Sequence, residues 1–306
     1  MLRPYYSQGK GLGVSARIID GKAISEAVLA EVGRRAQTLR ETKGIQPGLA
    51  VILVGDNPAS QVYVRSKHQT CERMGFLSQV HHLAADSPQE TVAALIAQLN
   101  AAPHIHGVLL QMPLPQHLDE QSLLETIDPR KDVDGFHPVN MGRLALGLPG
   151  FVPCTPLGVR ELLARSGINP AGRLTVIVGR STIVGRPLAL LLMRKEKGSD
   201  ATVCVCHSRT PNVAALARQA DILVAAIGKA GYVTGDMIQP GAVVIDVGIN
   251  RIEDPTKKSG YRLVGDVDFA AASQVAGAIT PVPGGVGPMT IAMLLTNTVQ
   301  AAEAQS

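Results

Sequence analysis

Short runs rich in Val, Ile and Leu alternate with helix-like segments along most of this chain. Parallel strands must be joined by crossovers of a dozen residues or more, so this alternation restricts the fold to α/β architecture with parallel sheets. In the first half Leu49–Gly55, Leu77–Leu83 and Ile105–Gln111 read as strands. Asn57 caps a helix with Pro58 in its first turn, running toward Gly75, and Ser87-Pro88 opens another in the same way. Pro113 to Thr155 is rich in Pro and Gly and reads as loops with short helices. The pattern restarts at Leu174–Gly179 and continues through Ala201–Cys206, Asp221–Gly228 and Ala242–Gly248, with Thr210-Pro211 starting an intervening helix. That is the order of a nucleotide-binding half-fold. After "PVPGGVGPMT" comes a last helix, apolar on more than one side (Ile291, Met293, Leu294, Leu295, Val299), which is expected to return to the first lobe. Two lobes result. An α/β lobe covers residues 16–155 and is rejoined by the helix at 287–306; a Rossmann-like lobe covers 156–286. Residues 1–15 lack an apolar core or an Arg-rich face and are expected to be a flexible extension.

Composition narrows the function. A length of 306 residues suits about two domains, and 45% hydrophobic content supplies their cores. No apolar run approaches the ~18 residues of a membrane span. A net charge of +4 suits an acidic small molecule and is too scattered for nucleic acid, and 3% aromatics without Trp leave no stacking platform. Four cysteines do not make a disulfide scaffold, so a reducing, cytoplasmic setting is the default. Cys204 and Cys206 alternate on one strand face and read as buried thiols. His81, His82, His104 and His106 lack the companions of a metal site, and no metal is expected.

"TVIVGRSTIVGRP" follows a strand and precedes a helix, yet it lacks the G-x-G-x-x-G of dinucleotide-binding turns. Gly179 supplies the tight turn, Ser181 adds a hydroxyl donor, and Gly185, one residue late, allows close helix packing. A pyrophosphate site and a plain strand-to-helix corner both fit the spacing; the flanking strands favour the first. At the end of the next strand an NAD enzyme wants an acid for the ribose 2′-OH, but Asp200 lies at the wrong end of the sheet and the right end reads "HSRT". Ser208 and Arg209, with Arg180 in the turn, suit a 2′-phosphate and so favour NADP.

"YVRSK" sets Tyr63 and Lys67 on one helical face. Two readings fit: a proton-handling lysine beside an aromatic shelf, or a surface lysine with a tyrosine laid along it. Gln111 ends a predicted strand where ligands approach open sheets, and "DPRKDVDGF" offers Asp128, Asp132 and Asp134, one of which could bond an amino-pyrimidine edge.

Together "YVRSK", "GVLLQMPLP", "KDVDGFHPVN", "PCTPLGV", "VIVGRSTIVGRP", "CHSRT", "VIDVGIN", "GDVDF" and "PVPGGVGPMT" resemble the bacterial bifunctional methylenetetrahydrofolate dehydrogenase/cyclohydrolase family, from about Ala16 to the last helix. The resemblance implies an α/β catalytic, folate-binding domain in the first lobe and an NAD(P)-binding domain in the second, oxidation of 5,10-methylenetetrahydrofolate with NADP⁺, hydrolysis of the methenyl product to 10-formyltetrahydrofolate, a folate cleft between lobes and a homodimer. By position it implies that Lys67 is the catalytic lysine, Tyr63 packs beside folate, Gln111 contacts the lysine and Asp134 holds the pterin. Gly179, Arg180, Ser181, Gly185, Ser208 and Arg209 would bind the cofactor, with Ile249 and Thr290 (in the glycine-rich loop before the last helix) near its nicotinamide. Alternatives are a dehydrogenase of this fold without the hydrolytic step, an amino-acid or shikimate-type dehydrogenase, whose lysine-aspartate pair the Tyr63/Lys67/Gln111 trio fits less well, and a nucleotide-sensing module.

Overall fold

The computed structural model describes residues 15–257 and 260–306, so all of the expected extension except Ser15 lies outside the described residues. The chain enters through β1 (Arg17–Ile18) and α1 (Gly21–Lys43), whose start is capped by Asp20 accepting from Ala23 N at 3.0 Å. Then come β2 (Gly48–Val54), α2 (Pro58–Arg73), β3 (Leu77–Leu83), α3 (Gln89–Ala101) and β4 (Gly107–Leu110). Two short helices, α4 (Glu120–Thr126) and α5 (Pro138–Ala145), complete the first lobe. Its sheet is parallel, in the order β3-β2-β4, with Ala50 between Gln79 and Val108. β2 is apolar throughout because both of its faces are covered. Leu49, Val51 and Leu53 join a core with Val28 and Val32 of α1 and Val64 of α2, while Ala50, Ile52 and Val54 join Val92 and Ile96 of α3.

α6 (Cys154–Arg165) leads into the second lobe, which contains β5 (Leu174–Val178), α7 (Gly185–Met193), β6 (Thr202–Cys206), α8 (Val213–Ala217), β7 (Ile222–Ala225) and β8 (Val243–Asp246). An antiparallel hairpin, β9 (Asn250–Glu253) and β10 (Tyr261–Val264), is followed by α9 (Phe269–Ala272), β11 (Ala278–Ile279) and α10 (Val286–Ala304). The main sheet is parallel, in the order β1-β11-β8-β7-β5-β6. From β5 the chain steps outward to β6 and then returns to β7 on the other side. That reversal leaves a crevice at the carboxyl ends of β5 and β7, the place where open α/β sheets take ligands.

The expected two-lobed α/β architecture is what the chain adopts, and α10 packs on α1 and α6. α10 is buried nearly all round, by Met289, Met293, Leu294, Leu295 and Val299 among others, and one core runs from β2 through α6 and α10 to Ile177 of β5. Four local expectations are corrected. β1, assigned to the first lobe, pairs with Ala278–Ile279 and belongs to the second sheet, because the chain crosses between lobes before α1. Pro88 itself is the cap position of α3, and no side chain caps that helix. Thr210 does not open α8: its Oγ1 is taken by His207 N at 3.0 Å, and Asn212 caps the helix instead, accepting from Ala215 N at 3.2 Å. Thr290 lies inside α10, not in a loop before it. Cys206 is buried and Cys204 half-buried.

Candidate active site

Asn57 Oδ1 accepts from Ala59 N at 2.9 Å and Ser60 N at 3.1 Å, with Pro58 at the first helical position, and this cap sets the rotation of α2. Val64 and Cys71 then face the core, and Lys67 goes in with them at 7% exposure. Tyr63, one turn earlier, stays 38% exposed. Lys67 Nζ donates to Gln111 Oε1 at 2.8 Å. Gln111 extends β4, donating its backbone N–H to Ile52 O at 2.9 Å. Its Nε2 donates to Met112 O at 2.7 Å, which turns Oε1 toward the lysine. The acceptor of the lysine is a neutral amide, so the contact holds whether or not the amine keeps its extra proton.

The three aspartates of the following loop divide sharply. Asp128 holds Arg130, with Arg130 Nε at 3.1 Å. The buried Asp132 carboxylate accepts from Gly135 N at 3.1 Å, Phe136 N at 3.2 Å, His137 N at 2.9 Å and Asn140 Nδ2 at 2.8 Å, so it is spent on folding the loop. Asp134, in the middle of that loop, faces Lys67 and the Cys154 thiol instead. Burial lowers the lysine pKa, opposed by the charge of Asp134. Burial likewise raises the Asp134 pKa, opposed by Lys67. Each group is thus pushed toward its neutral form, and the cost of moving a proton between them shrinks. Cys154, at the start of α6, is held well above the ordinary thiol range by burial and remains a thiol. The sequence reading assigned it no role, although it stands in the quoted "PCTPLGV".

Tyr63 and Ser66 line a cleft of about 800 Å³ between the first lobe and the β9–β10 hairpin, with Ile249, Arg251, Tyr261 and Pro288 on its other wall. Lys67, one helical turn from Tyr63, is not part of that lining, and neither are Gln111 and Asp134. A smaller cavity of about 170 Å³ joins Tyr63 to Asp246, Gly248, Ile249 and the Pro281–Pro288 turn. Burial raises the Tyr63 pKa, so the phenol keeps its proton. Thr290 is outside both linings and shares a 3.1 Å hydrogen bond with Thr155, tying α10 to α6.

At the crevice of the second sheet, Gly179 has φ of 137°, and a Cβ there would overlap Ala226 O. A Cβ on Gly185 would overlap Gly179 O, so the turn closes only with glycine at both positions. Ser181 Oγ accepts from Val184 N at 3.1 Å and Gly185 N at 3.4 Å, which caps the start of α7 and leaves its proton available to an outside acceptor. Arg180, Ser208 and Arg209 are exposed, and their side chains have no protein partner among the described residues. The "HSRT" segment is a tight turn, with Arg209 N donating to His207 Nδ1 at 3.2 Å. A backbone cradle that any side chain would fill, rimmed by unpaired cations, fits a phosphorylated dinucleotide. Asp200 sits at the opposite end of β6. No group of three metal-ligating side chains occurs among the described residues, and His106 Nδ1 accepts from Gly48 N at 3.0 Å as part of the core.

Residues 19–134 match the tetrahydrofolate dehydrogenase/cyclohydrolase catalytic domain, and residues 153–306 match the NAD(P)-binding domain of the same description. The chain is 56% identical over 288 residues to the bifunctional protein FolD of Chlorobium phaeovibrioides, covering 94% of this chain and 98% of that one. It is 49% identical to the crystal structure of the bifunctional methylenetetrahydrofolate dehydrogenase/cyclohydrolase of Campylobacter jejuni, with a TM-score of 0.90 over 95% of this chain and 100% of that one. The Trypanosoma brucei enzyme, solved with NADP and an inhibitor, is 42% identical with a TM-score of 0.90, over 95% of this chain and 98% of that one.

Proposed function

The chain belongs to the tetrahydrofolate dehydrogenase/cyclohydrolase family, and on that premise we propose how its own residues carry two reactions. The protein is a bifunctional enzyme: it oxidises 5,10-methylenetetrahydrofolate to the 5,10-methenyl cation with NADP⁺ and hydrolyses that cation to 10-formyltetrahydrofolate. NADP⁺, when bound, supplies the hydride acceptor of the first reaction. Hydride leaves a carbon flanked by two nitrogens whose lone pairs stabilise the cation formed, so this step needs alignment and no dedicated base. Gly179, Ser181 and Gly185 cradle the pyrophosphate; Arg180, Ser208 and Arg209 take the 2′-phosphate; Ile249 and Thr290 serve the nicotinamide side.

Hydrolysis needs protons moved. Water adds to the cationic carbon and loses a proton, and the bond from that carbon to N5 then breaks as N5 gains one. Lys67 carries that proton, Gln111 orients it, Asp134 binds the pterin, and Tyr63 packs along the folate. The observation that supports this most is the buried lysine amine, lowered in pKa, held by a neutral amide and one helical turn from Tyr63 on the cleft wall. The test follows NADPH formation from methylenetetrahydrofolate and then the 10-formyl product. Methenyltetrahydrofolate supplied without nucleotide isolates the second reaction, and no hydrolysis there would leave a dehydrogenase alone. A homodimer is part of the same proposal, checked by sedimentation. So is a cytoplasmic setting, supported by the free thiols of Cys71, Cys154, Cys204 and Cys206. No helix among the described residues is long and apolar enough to cross a membrane.

A further inference from the structure

Two buried aspartates at the crevice are used by neither reaction as described. Asp246 ends β8 at 3% exposure, and Asp266, just past β10, is fully buried. No lysine or arginine pairs with either one among the described residues; their partners are backbone amides and one side-chain amide. Asp246 Oδ1 accepts from Gly248 N at 3.0 Å and Asp266 N at 2.9 Å, and its Oδ2 accepts from Val267 N at 3.0 Å. Asp266 Oδ2 accepts from Ile227 N and Gly228 N, both at 2.7 Å, and its Oδ1 accepts from Asn250 Nδ2 at 2.9 Å. Glycines make room for both: a Cβ at Gly265 would overlap the Asp246 carboxylate, and one at Gly248 would overlap that of Asp266.

These bonds tie together the backbone that leaves β7, the backbone that leaves β8 and both ends of the β9–β10 hairpin. The first of these stretches abuts the nucleotide turn, since Gly179 packs on Ala226 O. The second lines the small cavity that reaches Tyr63. Resting on the reading of this crevice as the NADP⁺ site, we propose that Asp246 and Asp266 are positioning residues for the cofactor. They hold Ile227–Gly228 and Gly248–Ile249 in the shape that receives it, and they act only on the dehydrogenase. Buried carboxylates fed by several N–H groups suit that task, because each lost acceptor strands a buried donor and the loop must move.

The test compares D266N and D246N with the wild type in three measurements: NADP⁺ affinity by calorimetry, dehydrogenase kcat and KM, and nucleotide-free hydrolysis of methenyltetrahydrofolate. The amide of D266N turns a donor or a poorer acceptor toward Ile227 and Gly228. Its Kd and KM for NADP⁺ are expected to rise about tenfold or more, the size set by a charged hydrogen bond, while hydrolysis is retained. Loss of both activities in equal proportion would reduce the pair to general scaffolding and overturn the proposal, as would unchanged NADP⁺ binding. Should D266N fail to fold, N250A removes a single donor from Asp266 and must show the same split at smaller size. A wild type that binds NADP⁺ but turns over neither folate defeats the functional reading, while the affinity comparison still decides the role of the two aspartates.

Discussion

The lysine end of the cleft and the nucleotide turn are both polar, yet they are built in opposite ways. Lys67 is 7% exposed, bonded to Gln111 and set against Asp134, so its partners are in place before any ligand arrives. Arg180 stands in solvent on a turn whose shape comes from glycine backbone, and Ser208 and Arg209 stand in solvent on the separate "HSRT" turn after β6. Proton transfer benefits from a group already stripped of water, because desolvation brings the pKa toward the working range. Recognition of a phosphate benefits from cations that stay hydrated until the anion replaces the water. The two ends should therefore fail separately.

Lys67→Met is the strongest challenge to that separation. It is expected to reduce hydrolysis roughly 10²–10⁴-fold, the range of a general acid–base group, and to damage dehydrogenation less; hydrolysis at the unaltered rate would remove the lysine from the mechanism. At the other end, Gly185→Ala forces a Cβ onto Gly179 O. NADP⁺ binding should fall below detection in a calorimetric titration while nucleotide-free hydrolysis survives. Equal loss of both would mean that the lobes do not act independently.

Replacing Ser208 and Arg209 together by alanine removes charge-assisted contacts worth about 1.5–3 kcal/mol each. The ratio of kcat/KM for NADP⁺ over NAD⁺ should drop roughly 10²–10⁴-fold, with NAD⁺ kinetics nearly unchanged. The pH profile gives a finer comparison. The Lys67 pKa is lowered by burial, so the neutral amine accumulates as pH rises through a value below the ordinary lysine range, and hydrolysis should rise with it. Gln111→Glu places an anion against the amine, raises its pKa and should move that rise to higher pH. The same depression has a stability consequence: the lysine contributes fully above its unfolded pKa of about 10.4 and loses that contribution as pH falls toward the folded value. The smallest effect is expected on the cleft rim, where Arg73 pairs with Glu26 at 2.8 Å and both are half-exposed. Arg73→Ala should cost less than about 1 kcal/mol in denaturant unfolding.

Local chemistry was legible wherever a residue's partner lies close in sequence. The Asn57-Pro58 start of α2 follows from cap geometry within four residues, and the strand runs of β2, β3 and β5 follow from their apolar pattern. The same logic misled at Thr210, where a hydroxyl suited to capping is claimed by His207 N in a tighter turn. It also misplaced Thr290, because the glycines of "PGGVGP" read as loop although α10 begins at Val286. Asp246 and Asp266 stand in the quoted "VIDVGIN" and "GDVDF", yet apart from Gly248 N, two residues from Asp246, their donors lie 16 to 39 residues away, so no spacing singled out their role.

Periodicity and residue type by themselves determined the parallel α/β layers, the common helical face of Tyr63 and Lys67, and the serine and arginine that follow β6. Only the tertiary structure decided that Lys67 is buried, that Gln111, 44 residues on, accepts its hydrogen bond, and that Asp132 folds a loop while Asp134 faces the amine. The physical reason is that desolvation and hydrogen-bond satisfaction depend on which distant segments pack around a group, and no spacing along the chain encodes that surrounding volume.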